Sequence, residues 1–248
     1  MSQPVKALAP LPFELVYSDG EPLETQWHVL QMNLLIEVIF QAMVERDRRD
    51  FFVGGDMFVY YSYQQARDIV AGRSYFRGPD VFYVGGVAPG ERKAWISWEE
   101  GDRLPEMIVE LLSPSTAKID RTVKKDLYAE VWRTPEYFLY ERETHTLEGF
   151  RLSGRLSGDT YRPIPPNAAG RLPSEVLGLE LGFWEGEELG VQTAWLRLFD
   201  ADGRLVPTRE EAARQHAQTE RQRADTAEAE LARLRALLAG NTEKGGAG

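Results

Sequence analysis

MIVELLSPSTAKIDRTVKKDLYAEVWRTPEYFLY, residues 107–140, is the stretch whose reading decides this chain. Its first six residues, Met107 to Leu112, have the length and apolar density of a buried strand. Glu110 interrupts that run, and a carboxylate buried there is costly unless a cation, a metal or hydrogen-bond donors answer it. Period two puts Ile108, Glu110 and Leu112 on one face. Ser113-Pro114-Ser115 then stops the strand, because proline has no ladder N–H. From about Asp120 the pattern turns helical, with Lys124 and Tyr128 on one face and an apolar stripe, Val123/Leu127/Val131, beside them at the core boundary. Glu136 to Tyr140 is aromatic and apolar, a second strand.

Upstream, Asp80 follows Pro79 and precedes Val81-Phe82-Tyr83-Val84, which places it at the entrance of another apolar strand. Each of these polar residues has a plain structural reading. Asp80 suits a strand-start turn, Glu110 suits a salt bridge to Arg77 or Arg121, and most helix lysines face solvent. Together they suit a phosphodiester site. Mg²⁺ (or Mn²⁺) takes one or two carboxylates and completes its shell with water and phosphate oxygens. A nearby lysine orients or deprotonates the attacking water and stabilises charge on phosphorus. Lysine's flexible stem lets it serve from more than one backbone origin.

At 248 residues the chain can bury a full core without staples. It has no Cys, which removes disulfides, thiolate nucleophiles and Cys-based metal sites. No run of 18 or more apolar residues and no secretory pattern at Met1-Ser2-Gln3-Pro4 is seen, so a cytoplasmic protein without membrane association is expected. The net charge of −10 opposes broad adhesion to nucleic acid, but residues 118–133 run against it at a net +2. Phosphate-loop, dinucleotide, α/β-hydrolase and zincin signatures are missing, and His28, His145 and His216 stand far apart. His28 reads as a hydrogen-bonded structural histidine.

The rest of the chain frames this core. A Pro-rich arm over residues 1–23 precedes a helix from Glu24 to about Arg46. Phe51–Val53 and Met57–Tyr61 read as a strand pair or one bulged strand, Ala94–Trp98 as a short strand, and Thr146–Leu152 with Thr160–Ile164 as a small meander. Thr193–Phe199 and Arg204–Val206 flank a hairpin turn, Asp200-Ala201-Asp202-Gly203. The expectation is an α/β (mixed α+β) domain over 1–207, with a mixed central sheet flanked by helices. Residues 208–240 form a helical tail with an Ala-rich heptad seam, a candidate for homodimer contact, and 241–248 are expected to be disordered.

At these residues the sequence resembles the PD-(D/E)xK phosphodiesterase superfamily, and more closely the bacterial Uma-type restriction endonucleases. Pro79-Asp80 before an apolar strand matches the PD element. Val109-Glu110-Leu111-Leu112-Ser113-Pro114-Ser115-Thr116 matches the VE(I/V)LSPST strand, and Asp120-Arg121, Lys124, Tyr128 and Pro135-Glu136-Tyr137 match the DR…K…Y…PEYW run. The resemblance covers roughly 14–190. It implies a restriction-endonuclease-like core, Asp80 and Glu110 as metal carboxylates, and a metal-dependent DNA endonuclease. The superfamily lysine, two residues after the glutamate, is replaced here by Leu112, which selects the displaced Lys124, with Lys125 as fallback. Glu37 on the first helix and Tyr128 are accessory candidates. The competing readings are a catalytically weak or inactive nucleic-acid or protein binding module assembled through the tail, and a two-carboxylate glycosidase that needs neither lysine nor metal.

Overall fold

The computed structural model describes residues 12–17, 25–73, 78–154 and 158–244, with side chains in the last helix through 233 and at 235. Helix α1, Gln26–Glu45, begins where the Thr25 side chain accepts the His28 N–H at 3.2 Å. Its apolar positions recur at helical spacing, and Leu35, Val38 and Ile39 are fully buried. By length and composition alone this helix could cross a membrane, yet it forms the centre of the core.

Strands β1 (Phe51–Gly54), β3 (Val81–Gly85), β5 (Met107–Leu112), β6 (Glu136–Glu141), β7 (Thr146–Leu152) and β8 (Tyr161–Pro163) build one sheet in the order β1-β3-β5-β6-β7-β8. All neighbours are antiparallel except β5 and β6. A parallel pair needs a crossover, and the 113–135 segment with its helix α3 supplies it. That helix starts at Ala117–Ile119 and continues as π-helical stretches Asp120–Lys124 and Leu127–Val131. The fold is therefore mixed α/β with a mostly antiparallel central sheet.

The two sheet faces bury different cores. Val81, Tyr83, Met107, Val109, Leu111, Phe138 and Tyr140 face α1. On α1's other side lies a second sheet, β9 (Leu172–Ser174), β10 (Leu179–Glu188) and β11 (Val191–Phe199), in the order β11-β10-β9. Gln31 clamps α1 to β11, accepting from Leu196 N–H at 2.8 Å and donating to its carbonyl at 2.9 Å. The opposite face gathers Phe82, Val84, Ile108, Leu112, Tyr137 and Leu139 under Tyr128 and Trp132 of α3. Glu110 lies on this second face, as period two requires.

Several elements differ from the sequence reading. Phe51–Val53 and Met57–Tyr61 do not pair. The first is sheet strand β1, whereas β2 (Val59–Tyr60) runs parallel to β4 (Trp95–Ile96) in a separate two-stranded ribbon. Polar residues 62–76 hide a helix, α2 (Tyr63–Val70), capped by Ser62. Strands β9 and β10 carry little local signal: β9 is three residues around Pro173, and interspersed Glu and Gly disguise β10. Of the stripe Val123/Leu127/Val131 only Leu127 packs against the core; Val123 is 65% and Val131 49% exposed. Asp120, Tyr128 and Trp132 are buried instead. Arg77 lies outside the described residues.

Residues Met1–Val206 form one compact unit and Pro207–Gly248 another. The second is helix α4, Arg209–Lys244, against the 208–240 read from sequence; residues 245–248 lie outside the described residues. Its pairs Arg214–Glu210 (2.6 Å) and Arg223–Glu220 (2.8 Å) sit at helical spacing on an exposed surface.

Candidate active site

Glu110 is fully buried, and three groups converge on its carboxylate. The Tyr128 hydroxyl donates to Oε1 at 2.8 Å, the Lys124 ammonium lies 2.9 Å from Oε2, and the Asp80 N–H donates to Oε2 at 3.3 Å. Lys124 and Tyr128 reach it because α3 crosses the sheet face on which Glu110 points. Alternating α- and π-type turns keep positions four apart in line, so Asp120, Lys124 and Tyr128 meet the sheet together.

Asp80 sits just before β3, opposite the end of β5. Its Oδ2 accepts the Leu111 N–H at 2.6 Å and its Oδ1 lies 3.1 Å from His28 Nε2. Two glycines seat this corner. A Cβ on Gly55 would fall 1.9 Å from the Asp80 carbonyl, and one on Gly78 would fall 1.6 Å from the Met57 carbonyl. The segment 55–57 can press against 78–80 only because both positions lack a side chain.

Asp120 completes the cluster. It is buried, its Oδ1 lies 2.9 Å from Lys124 Nζ, and its carbonyl accepts the Tyr137 hydroxyl at 2.9 Å. Three carboxylates thus surround one ammonium. Burial pushes Glu110 up to about 8, against the pull of Lys124 and with the repulsion of Asp80 and Asp120 added. Burial works in the same way on Asp80, but the His28 hydrogen bond and the Lys124 charge outweigh it and hold Asp80 below its ordinary value. Burial also opposes the charge on Lys124, yet Glu110, Asp120 and Asp80 keep it protonated well above the usual lysine range.

The structure therefore brings together Asp80, Glu110, Lys124 and Tyr128. Lys125 turns elsewhere, its Nζ 3.3 Å from the centre of the Phe150 ring. Glu37 is exposed and half a turn away from His28 around α1, so it is not at the cluster. His28 and Asp120 join the cluster although sequence reasoning gave neither a site role. His28 carries no local signal; Asp120 did, standing four residues before Lys124.

Among the described residues no three His, Asp or Glu side chains form a ready metal cage. The adjacent Asp80 and Glu110 carboxylates do match the oxygen donors that Mg²⁺ takes when most of its shell is water. A divalent cation there would offset the burial, and the added repulsion of Asp80 and Asp120, that together raise Glu110. The basic stretch 118–133 offers less than its net charge implied. Arg121 is engaged by Glu148 (2.8 Å) and Glu141 (3.4 Å), and Arg133 by the carbonyls of Gly154 and Asp159 and by the Asp159 carboxylate at 3.4 Å.

Compared with known proteins, residues 8–194 match the family model Uma2, described as "Putative restriction endonuclease". A crystal structure from Anabaena variabilis ATCC 29413, described as a "putative nuclease", aligns with a TM-score of 0.41 and 14% identity. The alignment covers 65% of this chain and 81% of that one. No match is found among curated proteins.

Proposed function

The chain belongs to the Uma2 family of restriction-endonuclease-type nucleases, and from that membership we propose that it is a divalent-metal-dependent DNA endonuclease whose site is Asp80, Glu110 and Lys124. The observation that carries this reading is the reach of Lys124 from α3 to Glu110, at 2.9 Å, with Asp80 hydrogen-bonded to the same carboxylate oxygen. Although Lys124 comes from the helix after β5, its ammonium still reaches the Glu110 carboxyl.

Asp80 and Glu110 would hold Mg²⁺ or Mn²⁺ through oxygen donors. When bound, the cation supplies Lewis acidity at the phosphate and acidifies water. His28 orients Asp80, and Tyr128 orients Glu110. Lys124 remains an ammonium in its ring of carboxylates, so its part is to orient water and to stabilise negative charge on the phosphate, not to remove a proton. The attacking water's oxygen would bond to phosphorus as the ester bond to the leaving oxygen breaks, the water proton passing to solvent and the leaving oxygen taking one up from solvent. The exposed helix α4 supports assembly of two copies through the tail as a separate proposal.

Supercoiled plasmid incubated with Mg²⁺ or Mn²⁺ tests the reading. The wild type should nick it, and Asp80→Ala, Glu110→Ala and Lys124→Ala should each lose about 100-fold or more. Equal nicking by all four proteins would mean a contaminant and remove the site assignment. Tight plasmid binding without metal-dependent cleavage would favour the binding module.

A further inference from the structure

Lys124 has two carboxyl partners at equal distance: Glu110 Oε2 and Asp120 Oδ1, each 2.9 Å away. The partners are not equivalent. Glu110 Oε2 also accepts the Asp80 N–H, so this oxygen faces the corner where the two metal carboxylates would share a cation. Asp120 lies on the lysine's own helix, buried, with its carbonyl fixed by Tyr137. An ammonium and a divalent cation seek the same oxygen of Glu110, and like charges cannot share it without a large cost in a buried site. A lysine held by Glu110 alone would therefore obstruct the site it serves.

We propose that Asp120 is a positioning residue that draws Lys124 off Glu110, so that Glu110 can turn to a divalent cation while the ammonium stays beside the phosphate. This rests on the metal-dependent reading above. It follows from a displaced lysine: reaching in from a helix, Lys124 meets Glu110 head on and needs a second anchor on that helix. Asp120 touches neither cation nor substrate in this scheme, and acts through Lys124.

A double-mutant cycle on Mn²⁺ affinity in the full-length protein separates this role from plain charge. Isothermal titration at fixed pH would compare wild type, Asp120→Asn, Lys124→Met and the double variant. Removing a nearby negative charge weakens cation binding by the same factor in both backgrounds if its action is only Coulombic. The proposal expects Asp120→Asn to weaken Mn²⁺ binding about tenfold in the wild type but less than about twofold when Lys124 is already Met. Should Asp120→Asn melt early, Asp120→Ser replaces it with the same expected ratio. Equal losses in both backgrounds would overturn the role of Asp120 and leave the metal reading standing. Failure of the wild type to bind Mn²⁺ would overturn both.

Discussion

Replacing Glu110 by Gln should change how stability depends on pH, and the size of the change follows from its burial. In the folded protein Glu110 titrates at about 8, against an ordinary value of 4.5. The folded state thus holds a proton that the unfolded chain has released, so stability must fall as pH rises through that window. The stabilising contribution is complete below the unfolded value and lost by about pH 8. At about 1.4 kcal/mol per pH unit, the wild type should lose up to roughly 3 kcal/mol between about pH 5 and about pH 7.5, and about 2 kcal/mol once sharing with Lys124 is allowed for. Asp80, held low, contributes its change below this window and does not mask it. Urea unfolding in chelator at the two pH values, for wild type and Glu110→Gln, isolates the difference, because groups common to both proteins cancel. Adding Mn²⁺ should flatten the wild-type dependence. Parallel curves for the two proteins in chelator would refute the claim that Glu110 carries a proton there.

Three further outcomes test the packing around the cluster. Tyr128→Phe removes the 2.8 Å hydrogen bond to Glu110 Oε1 and should cost about 1–2 kcal/mol in urea unfolding; a neutral result would mean that the hydroxyl does not orient the carboxylate. Gly55→Ala drives a Cβ against the Asp80 carbonyl, so a loss of roughly 2 kcal/mol or more, together with weakened Mn²⁺ binding, is expected. Wild-type stability for that variant would contradict the close approach. Val123→Ser, at a position 65% exposed, should stay within about 0.5 kcal/mol of wild type, and a loss above about 1.5 kcal/mol would show that the stripe is buried after all.

Much of this protein was legible in its sequence. Local periodicity marks β5 and puts Glu110 on the face shared by Ile108 and Leu112, a consequence of backbone geometry that no tertiary contact can alter. The Pro79-Asp80 corner, the α1 spacing and the strand–helix–strand order of 107–140 are likewise local, and with them come the mixed sheet and its single parallel pair. What only the tertiary structure decided is which side chains meet. On α3, two neighbouring rows at spacing four compete for burial. Hydrophobicity favours Val123/Leu127/Val131. The fold instead turns Asp120/Lys124/Tyr128 to the sheet, because Glu110, the partner of Lys124, lies on β5 and Tyr137, the ring beside Tyr128, lies on β6. His28 joins Asp80 across 52 residues of chain by the way α1 docks, and no spacing rule connects them. The sequence names the carboxylate and the lysine; the distance between them belongs to the crossover that carries α3 over the sheet.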